Sequence, residues 1–314
     1  MILVAFACLL SISANASRIN ILVPAYANPC CGDGAQMWSS LVATAAGNRN
    51  FALEVIFNPA SGPGFARDPN YLDATGNGPL RDLRLAGGLI DGYIPTASAT
   101  RPIADVKADI NAYLTGIYAG SVSGLFFDEM SNDLGNVGYY RQLKDYIQSI
   151  RPGIRTVGNP GTGYINNVTG QSNYSVADYI ALFDTLVTFE NTGATYMAGN
   201  PSLSQFQGLG STKIAHIVHT VAPWDASLIA TAAGRGAGYL YLTNRPMPDP
   251  YDQMPYNWLQ FVAGVQAFDV ANEQTPNSAD VPALPAEALL LLGLALLTMM
   301  QFRHVRRWGS TRPN

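Results

Sequence analysis

Eight short apolar runs, separated by stretches long enough to cross back over a sheet, set what this chain can fold into. The runs are Ile19–Tyr26, Phe51–Phe57, Gly88–Ile94, Ser123–Glu129, Ile154–Gly158, Thr185–Phe189, Ile214–Val221 and Gly238–Thr243. Most are continuous rather than alternating, which is the pattern of parallel strands buried on both faces. Helical stretches are expected between them over Ala35–Ala46, around Leu80–Ala86, and over Ile103–Ile117, Tyr139–Ile150 and Pro223–Ala233, with Tyr256–Phe268 closing the series. Val106, Ile110, Tyr113, Leu114 and Ile117 fall on a helical period. The stretch ending at Ile150 stops ahead of Pro152, because the residue before a proline is steered out of the helical region. Eight β–α units in roughly 250 residues is the size of a (β/α)8 TIM barrel. The predicted fold is therefore α/β, a single catalytic barrel over residues 17–271. An open doubly wound sheet would need a glycine-rich phosphate turn after the first strand, and Pro24-Ala25-Tyr26 is no such turn.

The two ends do not follow this pattern. Ile2–Ile12 is apolar and Ala14-Asn15-Ala16 follows it with small outer residues, so residues 1–16 read as a signal peptide. At the other end, Asn272–Pro285 is a polar, proline-containing linker. Residues 286–307 then combine the apolar run Ala288–Met300 with Arg303, His304, Arg306 and Arg307. An apolar run closed by basic residues is a stop-transfer pattern, so membrane attachment through this segment is expected. The order of prolines, apolar helix and arginine cluster also resembles the sorting tags of the PEP-CTERM/exosortase type, which implies a sorting protease as a partner. Both readings put the barrel outside the cytoplasm, secreted or held at the cell envelope.

Composition narrows the function classes. With 48% hydrophobic and 13% charged residues, the chain can fill a core and is not a disordered sequence. The net charge is -4 and no basic stripe precedes the last dozen residues, so nucleic acid is excluded as an expected partner. Cys8 lies in the leader, and Cys30 and Cys31 are adjacent, so they cannot staple distant parts of the fold. No zinc spacing occurs, and neither a metal nor a cofactor is expected.

In a barrel of this kind, residues just past the C-terminal ends of the strands line one mouth, where chemistry is done. Those positions hold Tyr26, Asn58, Tyr93, Asp128 with Glu129, Asn159, Glu190, His219 and Asn244. Glycoside hydrolysis needs two carboxyl groups flanking one bond, one protonated and one ionised. Asp128 and Glu129 end the fourth run and Glu190 follows the sixth. Alternation sends Asp128 and Glu129 to opposite sides, and Asp128 faces the mouth if Phe127 packs outward. Asp128 is assigned as nucleophile, Glu190 as acid/base and Glu129 as a third carboxylate. Exchanging Glu129 into the primary pair is the alternative. Capping of the next helix is the structural reading of Asp128 and Glu129. Tyr26, Asn58, Tyr93, Asn159, His219 and Asn244 are the candidate substrate contacts. Asn58-Pro59 ahead of Gly62-Pro63-Gly64 serves equally as a rigid turn. His216 and His219, three apart on one strand, face opposite ways and do not form a metal pair.

Several of these segments resemble one family. Asn58-Pro59-Ala60-Ser61-Gly62-Pro63-Gly64 is similar to the N-P-x-S-G-P-G signature of spherulin-4-like proteins, and so are Ile21–Tyr26 with Trp38 after it. Gly92–Arg101, Gly124–Glu129 and Phe189-Glu190 resemble the family's later blocks. The resemblance runs over about Ile19–Phe268. It implies glycoside hydrolase family 135, a (β/α)8 barrel and an endo-acting α-1,4-N-acetylgalactosaminidase. Its three proposed acids correspond to Asp128, Glu129 and Glu190. The expectation is therefore a retaining hydrolase of a galactosamine-type exopolysaccharide. A non-catalytic carbohydrate-binding barrel, or a structural cell-surface barrel, is the alternative.

Overall fold

The computed structural model describes residues 18–274, apart from 48, 49, 169, 171 and 200. The expected leader over 1–16, the linker from 275 onward and the anchor over 286–307 lie outside the described residues. Among the described residues, no helix is long and apolar enough to cross a membrane.

Eight parallel strands close into a barrel in sequence order. They are β1 (Asn20–Ala25), β2 (Leu53–Phe57), β3 (Leu89–Pro95), β4 (Gly124–Asp128), β5 (Arg155–Gly158), β6 (Thr185–Thr192), β7 (Ile214–His219) and β8 (Tyr239–Leu242). Pairing of Asn20 with Tyr239 and Ile21 with Leu240 seals the ring. The helices are α1 (Gly32–Gly47), α2 (Pro79–Leu85), α3 (Ile103–Leu114), α4 (Val137–Ile150), α5 (Val176–Ile180), α6 (Gly193–Ala198), α7 (Ser227–Gly234) and α8 (Trp258–Gln274). The TIM barrel is thus the observed fold.

Three local expectations shift. The helix expected from Pro223 begins only at Ser227, after a turn in which Asp225 accepts the Ser227 amide. The short helices α5 and α6 carry too few residues to show a period. Strand β6 continues three residues past Phe189 to Thr192.

The core has two shells. Outside the barrel, Phe57 packs edge-on against Trp38, Tyr71, Tyr113 and Tyr118, with ring centroids 4.8–6.4 Å apart. The Tyr113 ring occupies the space where Gly92 has no side chain, with ring atoms 2.6–2.7 Å from a Cβ placed there. Inside, the strand period of two alternates the layers. The bottom layer is polar. Glu54 is fully buried and its Oε1 accepts from Arg155 Nε at 2.5 Å. Arg155 also donates to Thr185 Oγ1 and lies over the Tyr239 ring. Asp91 is buried beside them, and a side chain at Gly124 would collide with it. Burial first, then the Glu54 charge, holds the Asp91 carboxyl well above its ordinary range. The ion pair of this layer is Arg155 with Glu54.

Candidate active site

The upper end of this interior is a cleft of about 690 Å³, lined among others by Tyr26, Asn58, Tyr93, Asp128, Glu129, Glu190, His219 and Tyr251. Its size falls within the roughly 300–1,000 Å³ of small-molecule sites. Strand alternation delivers most of these side chains. Phe127 turns outward onto Phe183, at 5.3 Å between ring centroids, so Asp128 turns inward as expected. On β7, His216 faces the helices, where its Nδ1 meets the Tyr196 hydroxyl at 2.8 Å, and burial takes its imidazole down to about 3. His219 faces the cleft, so the two histidines do point apart.

Glu190 arrives by a different route. Thr185 points inward to Arg155, so strict alternation would turn Phe189 in and Glu190 out. Instead, the register against β7 shifts between Val187 and Phe189. Thr188 is the extra residue of a bulge. The bulge resets the phase, turning Phe189 outward onto Tyr196 and Glu190 into the mouth.

Asp128 and Glu190 meet through one amide. Asn159 Nδ2 donates to Asp128 Oδ1 at 2.7 Å and to Glu190 Oε2 at 2.6 Å. Those two oxygens are therefore no farther apart than the sum of the distances, 5.3 Å. The Asn159 carbonyl accepts from the Gly161 amide at 2.9 Å. Both amide hydrogens and the carbonyl are thus committed, and Asn159 has no donor left for a sugar. The residue expected as a substrate contact thus clamps the two acids.

Glu190 Oε1 accepts from the hydroxyl of Tyr251 at 2.6 Å. Both oxygens of Glu190 therefore act as acceptors. Burial first, and then the charge of Glu190, push the Asp128 carboxyl up to about 6; the Tyr93 phenol and the Asn159 amide counter this only in part. The Tyr93 and Tyr251 phenols are themselves raised, mainly by burial, and stay protonated donors.

Glu129 sits at the exposed rim, held by a left-handed turn. Its own φ is 51°, and Ala97, Ser98 and Ala99 have φ of 46°, 53° and 67°. Ala97 N donates to Glu129 Oε2 at 3.2 Å, while Ser98 N and Thr96 Oγ1 donate to its carbonyl. Non-glycine residues in this region carry a conformational cost that the surrounding bonds must offset.

The remaining sequence candidates divide. Tyr26 and Tyr93 form an edge-on pair at 5.5 Å, with Tyr251 against the other side of Tyr26 at the same distance. Asn58 spends its carbonyl on the Gly62 amide at 3.0 Å, closing the expected turn, and still lines the cleft. His219 contacts Thr220 Oγ1 through Nδ1 at 2.9 Å, which leaves its other ring nitrogen uncommitted. Asn244 does not line the cleft; its Oδ1 accepts the Tyr256 amide at 3.0 Å and fixes the following loop. Tyr251, in the loop between β8 and α8, was missed by sequence reasoning because it follows no strand end directly. The proline-rich run Pro246–Pro255 is the one signal that marks this loop as rigid. No cluster of three or more metal-binding side chains occurs among the described residues.

Residues 20–265 match the family described as spherulation-specific family 4, Spherulin4. Spherulin-4 of Physarum polycephalum is 30% identical over 244 residues, which covers 74% of this chain and 66% of that protein. Among solved structures, Aspergillus clavatus Sph3, crystallised in complex with GalNAc, superposes with a TM-score of 0.61 at 23% identity. The superposition covers 79% of this chain and 98% of Sph3, a likeness of fold.

Proposed function

This chain belongs to the spherulin-4 family, and from that membership and its clamped acid pair we propose that it is a glycoside hydrolase. The substrate class is an α-1,4-linked galactosamine or N-acetylgalactosamine polysaccharide, cut internally with retention. The observation that carries the reading is the bridge from Asn159 to Asp128 and Glu190. Retaining enzymes hold their two carboxyl groups about 5 Å apart and inverting ones roughly 6.5–9.5 Å. The 5.3 Å ceiling here supports retention.

The sequence assigned attack to Asp128 and proton donation to Glu190; the electrostatics support the reverse. A general acid must hold its proton near working pH, and Asp128 is the group raised to about 6. Glu190, with both oxygens accepting, attacks the anomeric carbon as the Asp128 proton moves to the departing glycosidic oxygen. The C–O bond breaks, leaving a glycosyl ester on Glu190 and a carboxylate on Asp128. Asp128 then takes a proton from water, whose oxygen attacks the same carbon and frees Glu190. Tyr26, Tyr93 and the free ring nitrogen of His219 supply the walls and a polar contact for the sugar. Glu129, at the rim, is assigned to sugar hydroxyls or an amino group. Export through residues 1–16 and retention through residues 286–307 belong to the same proposal, because the polymer is met outside the cell.

The test is incubation with α-1,4-linked galactosamine polymers, acetylated and deacetylated, with reducing ends counted and product anomers read by NMR. New α-anomeric reducing ends, lost in Asp128→Asn and in Glu190→Gln while both variants stay folded, are the expected result. Binding without cleavage by the wild type would leave a carbohydrate-binding barrel instead.

A further inference from the structure

Beside the catalytic cleft lies a second groove, of about 450 Å³, lined by Gln36 and Ser40 of α1 and by Arg245, Gln253, Tyr256 and Leu259. The two grooves share one strap of chain: residues 247–252 line the cleft and residues 253–256 line this groove. Tyr256 is 82% exposed, which is unusual for so large a ring. It is nevertheless held in place. Arg245 lies over one face, 3.8 Å from the ring centroid, and is fixed in turn by donating Nε and Nη2 to the Met254 carbonyl. The backbone amide of Tyr256 is bonded to Asn244 Oδ1 at 3.0 Å. A ring ordered in advance loses little conformational entropy when something stacks on it.

We propose that this groove is a second carbohydrate subsite, in which the ring of Tyr256 stacks on a pyranose of the same polymer whose scissile bond lies in the cleft. The lining is compatible with that ligand. Its neutral polar groups are the amides of Gln36 and Gln253 and the hydroxyl of Ser40, with Asp33 beside them on α1. The guanidinium of Arg245 donates Nε and Nη2 to Met254 and lies on the ring, and Asp33 lines the same groove, so the lining carries both signs of charge and does not single out an anionic ligand. A flat aromatic with amide and hydroxyl neighbours fits an apolar sugar face edged with hydroxyls. Continuity of the strap lets a long polymer engage both grooves, whereas a short fragment fills only the cleft. The gain is one of effective concentration, since a chain held at one groove is presented to the other.

The inference rests on the hydrolase reading for its choice of polymer, and the experiment separates the two. Full-length protein carrying Glu190→Gln, alone and with Tyr256→Ala or Tyr256→Trp, is titrated with long α-1,4-linked N-acetylgalactosamine fragments and with a trisaccharide. Tyr256→Ala weakens binding of the long fragments by about five- to tenfold, leaves the trisaccharide unchanged, and Tyr256→Trp restores the affinity. Equal loss for both lengths marks a deformed cleft and overturns the proposal, as does no loss for either. In the Glu190-intact protein, a Tyr256→Ala variant with wild-type KM on polymer removes the subsite while hydrolysis stands. A length-dependent binding loss in a wild type that cleaves nothing keeps the subsite and removes the hydrolase.

Discussion

Tyr251 donates its hydroxyl to Glu190 Oε1 at 2.6 Å, from a loop sixty-one residues farther along the chain. With the clamp from Asn159 on the other oxygen, this bond fixes the position of the Glu190 carboxyl group. Removing the hydroxyl alone tests that role. Tyr251→Phe keeps the edge-on packing against Tyr26 and loses only the donor. A hydrogen bond to a charged group is worth about 1.5–3 kcal/mol. The expected outcome is a fall in kcat of about ten- to a hundredfold with KM little changed and thermal melting intact, read from steady-state kinetics on polymer.

Asn159→Ala frees both acids. Misplacement of reacting groups by about 1 Å can cost a hundredfold in rate, and a loss of that order is expected. The sign of the pH effect follows from the amide's role. Asn159 lowers the Asp128 carboxyl, so its removal raises that group further above 6. If Asp128 donates the proton, the alkaline limb of kcat/KM moves to higher pH in the variant. A wild-type profile that instead rises through pH 6 would return attack to Asp128.

The raised Asp128 carboxyl also costs stability. Its folded value, about 6, lies above the ordinary 3.8. Below pH 3.8 both states are protonated and nothing is lost. As pH climbs through that value the unfolded chain ionises first, and the folded state is penalised progressively until pH passes about 6. The full penalty above that is about 3 kcal/mol. Asp128→Asn should therefore unfold at a higher temperature than the wild type at pH 7, with the difference vanishing near pH 3.5, measured by calorimetry across that range.

At the opposite end of the barrel, Arg155→Leu leaves Glu54 fully buried and without its ion-pair partner. Breaking a buried ion pair from one side costs about 3–5 kcal/mol, while replacing both members is often neutral. Arg155→Leu is expected to lower the denaturation midpoint sharply, and Arg155→Leu with Glu54→Leu to recover most of it. Both are read by urea unfolding.

The division between local and long-range information is visible in particular residues. Asp128 was legible because it ends an apolar run, and its inward direction followed once Phe127 packed outward. Tyr26, Asn58, Tyr93 and His219 were legible for the same reason, as strand-end positions that reach the cleft. Asn159 was legible by position, but a one-residue reading cannot show that two carboxylates lie within reach of one amide. Asn244 was found by position and turned to the neighbouring loop.

By itself, the sequence determined the number of strands, their parallel order and the end of the barrel at which the cleft opens. Those follow from apolar runs and the backbone period of two, which are properties of neighbours in the chain. Only the tertiary structure decided which groups meet across the mouth. The bulge at Thr188 aims Glu190, the β8–α8 loop delivers Tyr251, and the pairing of Asn159 with both acids depends on how three strand ends converge. Register shifts and loop courses are set by packing between distant segments, and no local period encodes them.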